Sequence, residues 1–129
     1  MSPVFGWLRN REQRRLKREA HAAAWAQQQR PDGFKPFQVT AKDQVEGVVA
    51  GLGQQLTWSV EPATRKMGPS FVGQVPSLSL SVSIYDDTFG FTVGKRNDYL
   101  EWWDYPDPAA MIGEFIARLR AQLAGQLNR

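Results

Sequence analysis

From Leu56 to Val60 the chain reads Leu-Thr-Trp-Ser-Val, apolar and polar positions in turn, until Pro62 ends the pattern. Successive side chains of an extended strand point to opposite faces, so Leu56, Trp58 and Val60 share one side. The period of two returns in SLSLSVSIY, residues 77–85, where Leu78, Leu80, Val82 and Ile84 oppose Ser77, Ser79, Ser81 and Ser83. After the Asp86-Asp87 turn it continues in TFGFTV, with Phe89, Phe91 and Val93 against Thr88, Gly90 and Thr92. A turn over residues 94–98 then leads into YLEWWDY, residues 99–105, as a fourth strand. Short connections between these runs predict an antiparallel meander. Residues 62–76, with Met67-Gly68-Pro69 and Pro76, read as a loop.

Elsewhere the apolar spacing lengthens to that of a helix. Ala41, Val45, Val48, Val49 and Leu52 follow a Thr40–Asp43 capping-box pattern and predict a helix over about 41–53. Ile112, Phe115, Ile116, Leu119 and Leu123 form one stripe behind Asp107-Pro108, predicting a helix over about 108–127. Residues 3–29 carry little apolar periodicity, yet their Arg, Lys, Glu, Gln and Ala content favours a helix. Ser2-Pro3 opens it and Arg30-Pro31-Asp32-Gly33 stops it. The expected architecture is a two-layer α+β domain over residues 31–129: a four-stranded antiparallel meander sheet, one face packed by the helices at about 41–53 and 108–127. A basic N-terminal helix, about 3–29 within the segment 1–30, precedes it.

Charge separates these two parts. Residues 1–30 hold seven Arg/Lys against two Glu, a charge of +5, which leaves −2 for the other 99 residues of a chain whose net charge is +3. No apolar run approaches the ~20 residues that span a bilayer, and the apolar start at Val4, Phe5, Trp7 and Leu8 is too short for a signal-peptide core. A chain without cysteine fits a reducing compartment, and a cytoplasmic location is expected.

The same inventory bears on chemistry. With no cysteine and His21 as the single histidine, thiol catalysis, a His-based triad and a multi-His metal site have no residues to use. GLGQQ at 51–55 lacks the lysine of a phosphate loop and follows a helix rather than a strand. Asp86 and Asp87 offer a carboxylate pair with Asp98 or Asp104, but adjacent aspartates at a turn are ordinarily turn formers. The expectation is a protein that is not an enzyme and uses no cofactor or metal.

Two surfaces remain as candidates for function. At ~100° per residue, Trp7, Arg11, Arg14, Arg18 and Trp25 fall on one side of the N-terminal helix, joined in the basic run 9–18 by Arg15 and Lys17. Phe5, Leu16, Ala20 and Ala23 lie roughly opposite and offer one face for docking on the body. Guanidiniums flanked by indoles suit phosphates and stacked bases, an anionic membrane surface, a protein partner, or a solvated helix with arginine stems covering its neighbours. The second surface is the strand 99–105: Leu100, Trp102 and Asp104 on one face, Tyr99, Glu101, Trp103 and Tyr105 on the other. One tryptophan would then serve the core and one a docking surface, with Asp98, Glu101, Asp104 and Asp107 favouring a basic partner. The N-terminal helix is itself such a partner, its arginines meeting these carboxylates. The serine face of 77–83 reads as an ordinary solvent face.

Together these features predict a non-catalytic protein-binding module of adaptor, inhibitor or immunity type, with another protein as partner. The alternative is a nucleic-acid-associated accessory protein that binds phosphates through residues 9–18. A free sheet edge also offers a route to a homodimer. The layout resembles that of many small bacterial immunity and accessory proteins, a likeness of architecture that no sequence motif carries.

Overall fold

The computed structural model describes residues 3–127, with side chains from Asn10 onward. Helix α1 (Pro3–Trp25) and helix α2 (Pro36–Ala50) lead into strands β1 (Thr57–Glu61), β2 (Ser70–Val75), β3 (Leu80–Ile84), β4 (Thr88–Val93) and β5 (Arg96–Glu101). Helix α3 (Pro108–Leu127) closes the order. Short 3₁₀ turns at Pro76–Leu78 and Trp102–Asp104 flank β3 and follow β5. The strands form one antiparallel sheet in the order β1-β2-β3-β4-β5, so the α+β meander is as expected but has five strands rather than four.

The additional strand, β2, lies where a loop was expected. Its inward positions are Phe71, Gly73 and Val75, and the glycine hides the alternation. Gly73 is required because the Trp58 ring of β1 occupies the space its side chain would fill: a Cβ there would stand 2.7 Å from Trp58 Cζ3 and 2.8 Å from Leu56 Cδ2. Along β3, only Leu80 to Ile84 are extended; Ser77 lies in the 3₁₀ turn and Ser79 is left-handed at φ 50°. The serine face therefore shrinks to Ser81 and Ser83, while the Ser77 hydroxyl donates to Gln54 Oε1 at 2.9 Å.

On the inner face, Phe71, Val75, Leu80, Val82, Ile84, Phe89, Phe91, Val93 and Leu100 are buried. Helix α2 packs over β2 and β3, and α3 over β4. Phe115 of α3 lies 5.3 Å from Phe89 and 5.9 Å from Phe91, centroid to centroid, within the tilted geometries that aromatic pairs favour.

Helix boundaries follow from caps more than from stripes. α2 begins at Pro36, earlier than the Thr40–Asp43 pattern suggests, because proline is pre-set for a first helical position. Gln38 Oε1 accepts the Lys35 N–H at 2.9 Å, and Thr40 sits inside the helix with its hydroxyl donating to Pro36 O at 3.2 Å. α1 ends at Trp25 rather than near 29, and the released segment is used: Gln27 Oε1 accepts the Phe37 N–H at 3.1 Å, an orphan donor of the first turn of α2. α3 starts as expected, with Asp107 Oδ1 accepting the Ala110 N–H at 2.8 Å. Asp107→Ala is expected to lower stability by about 1 kcal/mol and Asp107→Ser to restore most of it, read from denaturation midpoints. Among the described residues no helix is long and apolar enough to cross a membrane.

Candidate functional site

The strand expected to run through Tyr105 stops at Glu101. Trp102 N–H donates to Asp87 O at 3.0 Å, and Tyr105 N–H closes the 3₁₀ turn on Trp102 O at 3.2 Å. This turn replaces the two-sided alternation expected of Trp102 and Trp103. Trp102 packs half-buried against the rim of the core, and Trp103 lies 6.3 Å from it, ring to ring, at 77°.

α1 docks on this turn. Trp25 is buried, meets Phe37 edge-on at 5.0 Å and Trp102 at 6.1 Å, and donates its indole N–H to Tyr105 O at 3.1 Å. Further toward the N-terminus, the Arg18 guanidinium lies 4.5 Å above the Trp103 ring, and Lys17 Nζ is 3.4 Å from Asp104 Oδ1. The docked side of α1 is thus the Arg14–Arg18–Trp25 side, as in the reading that turns its arginines to the carboxylates of the strand, and not the Leu16–Ala20–Ala23 side. Leu16 is 51% exposed, and Ala20 and Ala23 are exposed. A large indole with a hydrogen-bond partner outweighs a thin Leu/Ala stripe, because apolar stabilisation scales with the area buried. The side chains of Phe5 and Trp7 lie outside the described residues.

Between α1 and the end of β5 runs an open groove of about 500 Å³. Gln13, Arg14 and Lys17 line one wall; Glu101, Trp103 and Asp104 line the other. The walls are of opposite charge, and the acidic one carries an indole. Tyr99 lies two residues before Glu101 on the same outer face of β5, 63% exposed, its ring covering Gly90 so closely that a Cβ there would stand 2.8 Å from Tyr99 Cδ1. Of the basic residues, Arg15 turns away from the groove to pair with Glu12 and, at 2.9 Å, with Glu19. Its hydrogen bond holds the Glu12 carboxyl below the usual carboxylate range. Arg11 is exposed.

Tyr105 is half-buried, and burial pushes its hydroxyl above the ordinary phenol range against the opposing charge of Arg118. Arg118 is itself raised, first by its hydrogen bond to Glu114 at 2.8 Å; its pairing with Asp98 at 3.1 Å ties α3 to the inner face of β5. Tyr105 and Asp98 therefore belong to the underside of the site rather than to its open surface.

A second recess of about 350 Å³ joins Trp25 and Trp102 to Lys35, Lys66, Asp86 and Asp87. Sequence spacing gives no sign of it, because Lys35 and Lys66 arrive from separate connections. Within it Asp86 Oδ2 accepts the Gly68 N–H at 3.1 Å, so this carboxylate braces the loop before β2. Among the described residues no group of three or more His, Asp or Glu side chains is placed to hold a metal ion. No known family model, curated protein or solved structure matches the chain.

Proposed function

We propose that this chain is a non-catalytic protein-binding module of adaptor, inhibitor or immunity type, whose contact surface is the groove between α1 and the end of β5 together with Tyr99. The observation that carries the reading is a groove lined by Arg14 and Lys17 from α1 and by Glu101, Trp103 and Asp104 from the end of β5. Opposed charges around an aromatic floor suit a polypeptide that presents charges of both signs around one apolar anchor. Aromatic residues supply the binding energy of such contacts, and the charges select the partner and its orientation. A cytoplasmic setting fits a chain without cysteine.

The nucleic-acid alternative needs basic side chains turned to phosphate, and here Lys17 faces Asp104, Arg18 faces Trp103, and Arg15 faces Glu12 and Glu19. That arrangement favours the protein reading. The test is capture from host lysate on immobilised chain, with and without nuclease, comparing wild type with Tyr99→Ala, Glu101→Lys and Trp103→Ala. A protein retained after nuclease treatment, held at least tenfold more weakly (about 1.4 kcal/mol) by Tyr99→Ala and Trp103→Ala with unchanged circular dichroism, is the expected result. Recovery of nucleic acid alone, with steep loss in salt, would replace this reading by the alternative.

A further inference from the structure

The opposite edge of the sheet carries a separate surface. β1 is the terminal strand, and four of its five residues are exposed. Val60 points to the helix-covered face, opposite Phe71 in the register, yet remains 55% exposed because α2 lies over β2 and β3. Trp58, on the same face, is half-buried with Lys42 Nζ 5.1 Å from its ring, and its indole N–H is enclosed without a hydrogen-bond partner among the described residues.

Exposed edges of native sheets are blunted by inward-pointing charges, lysines, prolines or bulges, because a bare edge is a template for another strand. β5, the other edge, has such protection. Arg96 and Asp98 point inward, Asp98 is tied to Arg118, and the strand end is turned away under α1. β1 has none of it: Thr-Trp-Ser-Val-Glu contains no lysine, arginine or proline, and its register with β2 runs unbroken from Thr57↔Gln74 to Glu61↔Ser70.

We propose that β1 is a self-pairing edge, through which two copies of this chain join their sheets antiparallel about a two-fold axis at Ser59. The occupant is argued from the strand's self-complementarity. An axis at Ser59 is the register that overlaps all five residues. It sets Trp58 opposite Val60 of the second copy, and Val60 opposite the second Trp58, on the inner face, an aromatic–β-branched pairing of the kind that stabilises sheets. The charges do not oppose this register. Glu61, the single charged residue of the strand, meets Thr57 of the second copy and not another carboxylate. On α2, Lys42, which lies over Trp58, is already paired with Glu46 at 2.7 Å, so it brings no unpaired charge to the axis. Five residue pairs make a small interface beside the ~1,600 Å² of a standard complex, so the dimer forms at high protein concentration and dissociates on dilution.

The chain has no cysteine, so a single introduced thiol reports the register. Antiparallel partners directly opposite have Cα atoms about 4.5–5.5 Å apart, within the range a disulfide spans. Two copies of residue 61 would instead stand roughly 13 Å apart along the strands. Under mild oxidation the Ser59→Cys variant is expected to cross-link to a dimer at least tenfold faster than Glu61→Cys. Adding Val60→Lys to Ser59→Cys should slow it to the Glu61→Cys rate with unchanged circular dichroism, since an inward lysine blocks the edge and Val60 is already exposed. Wild-type sedimentation should show a monomer–dimer equilibrium that Val60→Lys abolishes. Equal cross-linking at both positions, or a wild-type chain that stays monomeric at the highest concentration, would overturn the proposal. This surface lies on the far edge from the α1 groove, so neither outcome bears on the groove.

Discussion

Trp25→Ala is expected to free α1 from the body while the sheet and its two covering helices stay folded. Truncating a buried tryptophan costs about 3–5 kcal/mol, and here the loss falls on one docking event. Trp25 is the buried residue among the described side chains of α1; the Arg18–Trp103 and Lys17–Asp104 contacts beyond it are solvent-exposed, each worth about 1 kcal/mol or less. Limited proteolysis should then cut within residues 1–30 and leave a stable fragment beginning near 31. Far-UV circular dichroism should lose helix, because most helical stability in a protein comes from the packing that this substitution removes. Trp25→Phe keeps an aromatic ring against Phe37 and Trp102 but gives up the N–H donated to Tyr105 O, so a smaller effect of about 0.5–1.5 kcal/mol is expected. Unchanged protease resistance in Trp25→Ala would mean that α1 is held by its charges instead. Because the groove has α1 as one wall, Trp25→Ala should weaken partner capture as much as Trp103→Ala does.

How much of this was legible in the sequence differs from element to element, for physical reasons. α3 was legible because every signal agreed: Asp107-Pro108 starts it, and Ile112, Phe115, Ile116, Leu119 and Leu123 are all buried. β3 and β4 were legible from Val82, Ile84, Phe89 and Phe91, which alternate with small polar residues. β2 was not, since Gly73 holds an inward position and glycine carries no hydropathy; the ring that fills its place belongs to Trp58, fifteen residues earlier. The first turn of α2 was missed because one of its buried positions is Gln38, which an apolar stripe does not count.

The candidate site follows the same logic. Composition separates a basic segment from an aromatic–acidic one, and the structure brings them together. The local pattern of YLEWWDY reads as strand, whereas the bond that ends it, Trp102 N–H to Asp87 O, joins residues fifteen apart. The orientation of α1 depends on one indole finding one carbonyl, and averaging over a helical stripe gives such a contact no weight.

The second large effect concerns Gln38, a fully buried polar side chain whose amide is saturated by the backbone. Its Oε1 accepts the Lys35 N–H, and its Nε2 donates to Pro69 O at 3.1 Å and to Ile84 O at 3.2 Å. The residue thus ties the start of α2 to the chain entering β2 and to the end of β3. Gln38→Leu conserves much of the volume but takes this partner from two buried carbonyls and one half-buried N–H; at about 1–3 kcal/mol for each group left unsatisfied, a net loss of roughly 2–4 kcal/mol after relaxation is expected from urea denaturation. Gln38→Glu separates the donors from the shape. A carboxylate there can still accept from Lys35 N–H, but it faces two carbonyl oxygens and has a hydrogen to give only when protonated. Burial and those acceptors hold its folded-state pKa above the ~4.3 of an unfolded glutamate. A group raised on folding contributes its stability below the unfolded pKa and loses it as pH rises through the folded one. Gln38→Glu should therefore approach wild-type stability near pH 4 and fall progressively behind it toward neutrality. A deficit that stays constant with pH would show that the Nε2 hydrogen bonds to Pro69 and Ile84 contribute little, and that Gln38 acts mainly by filling space.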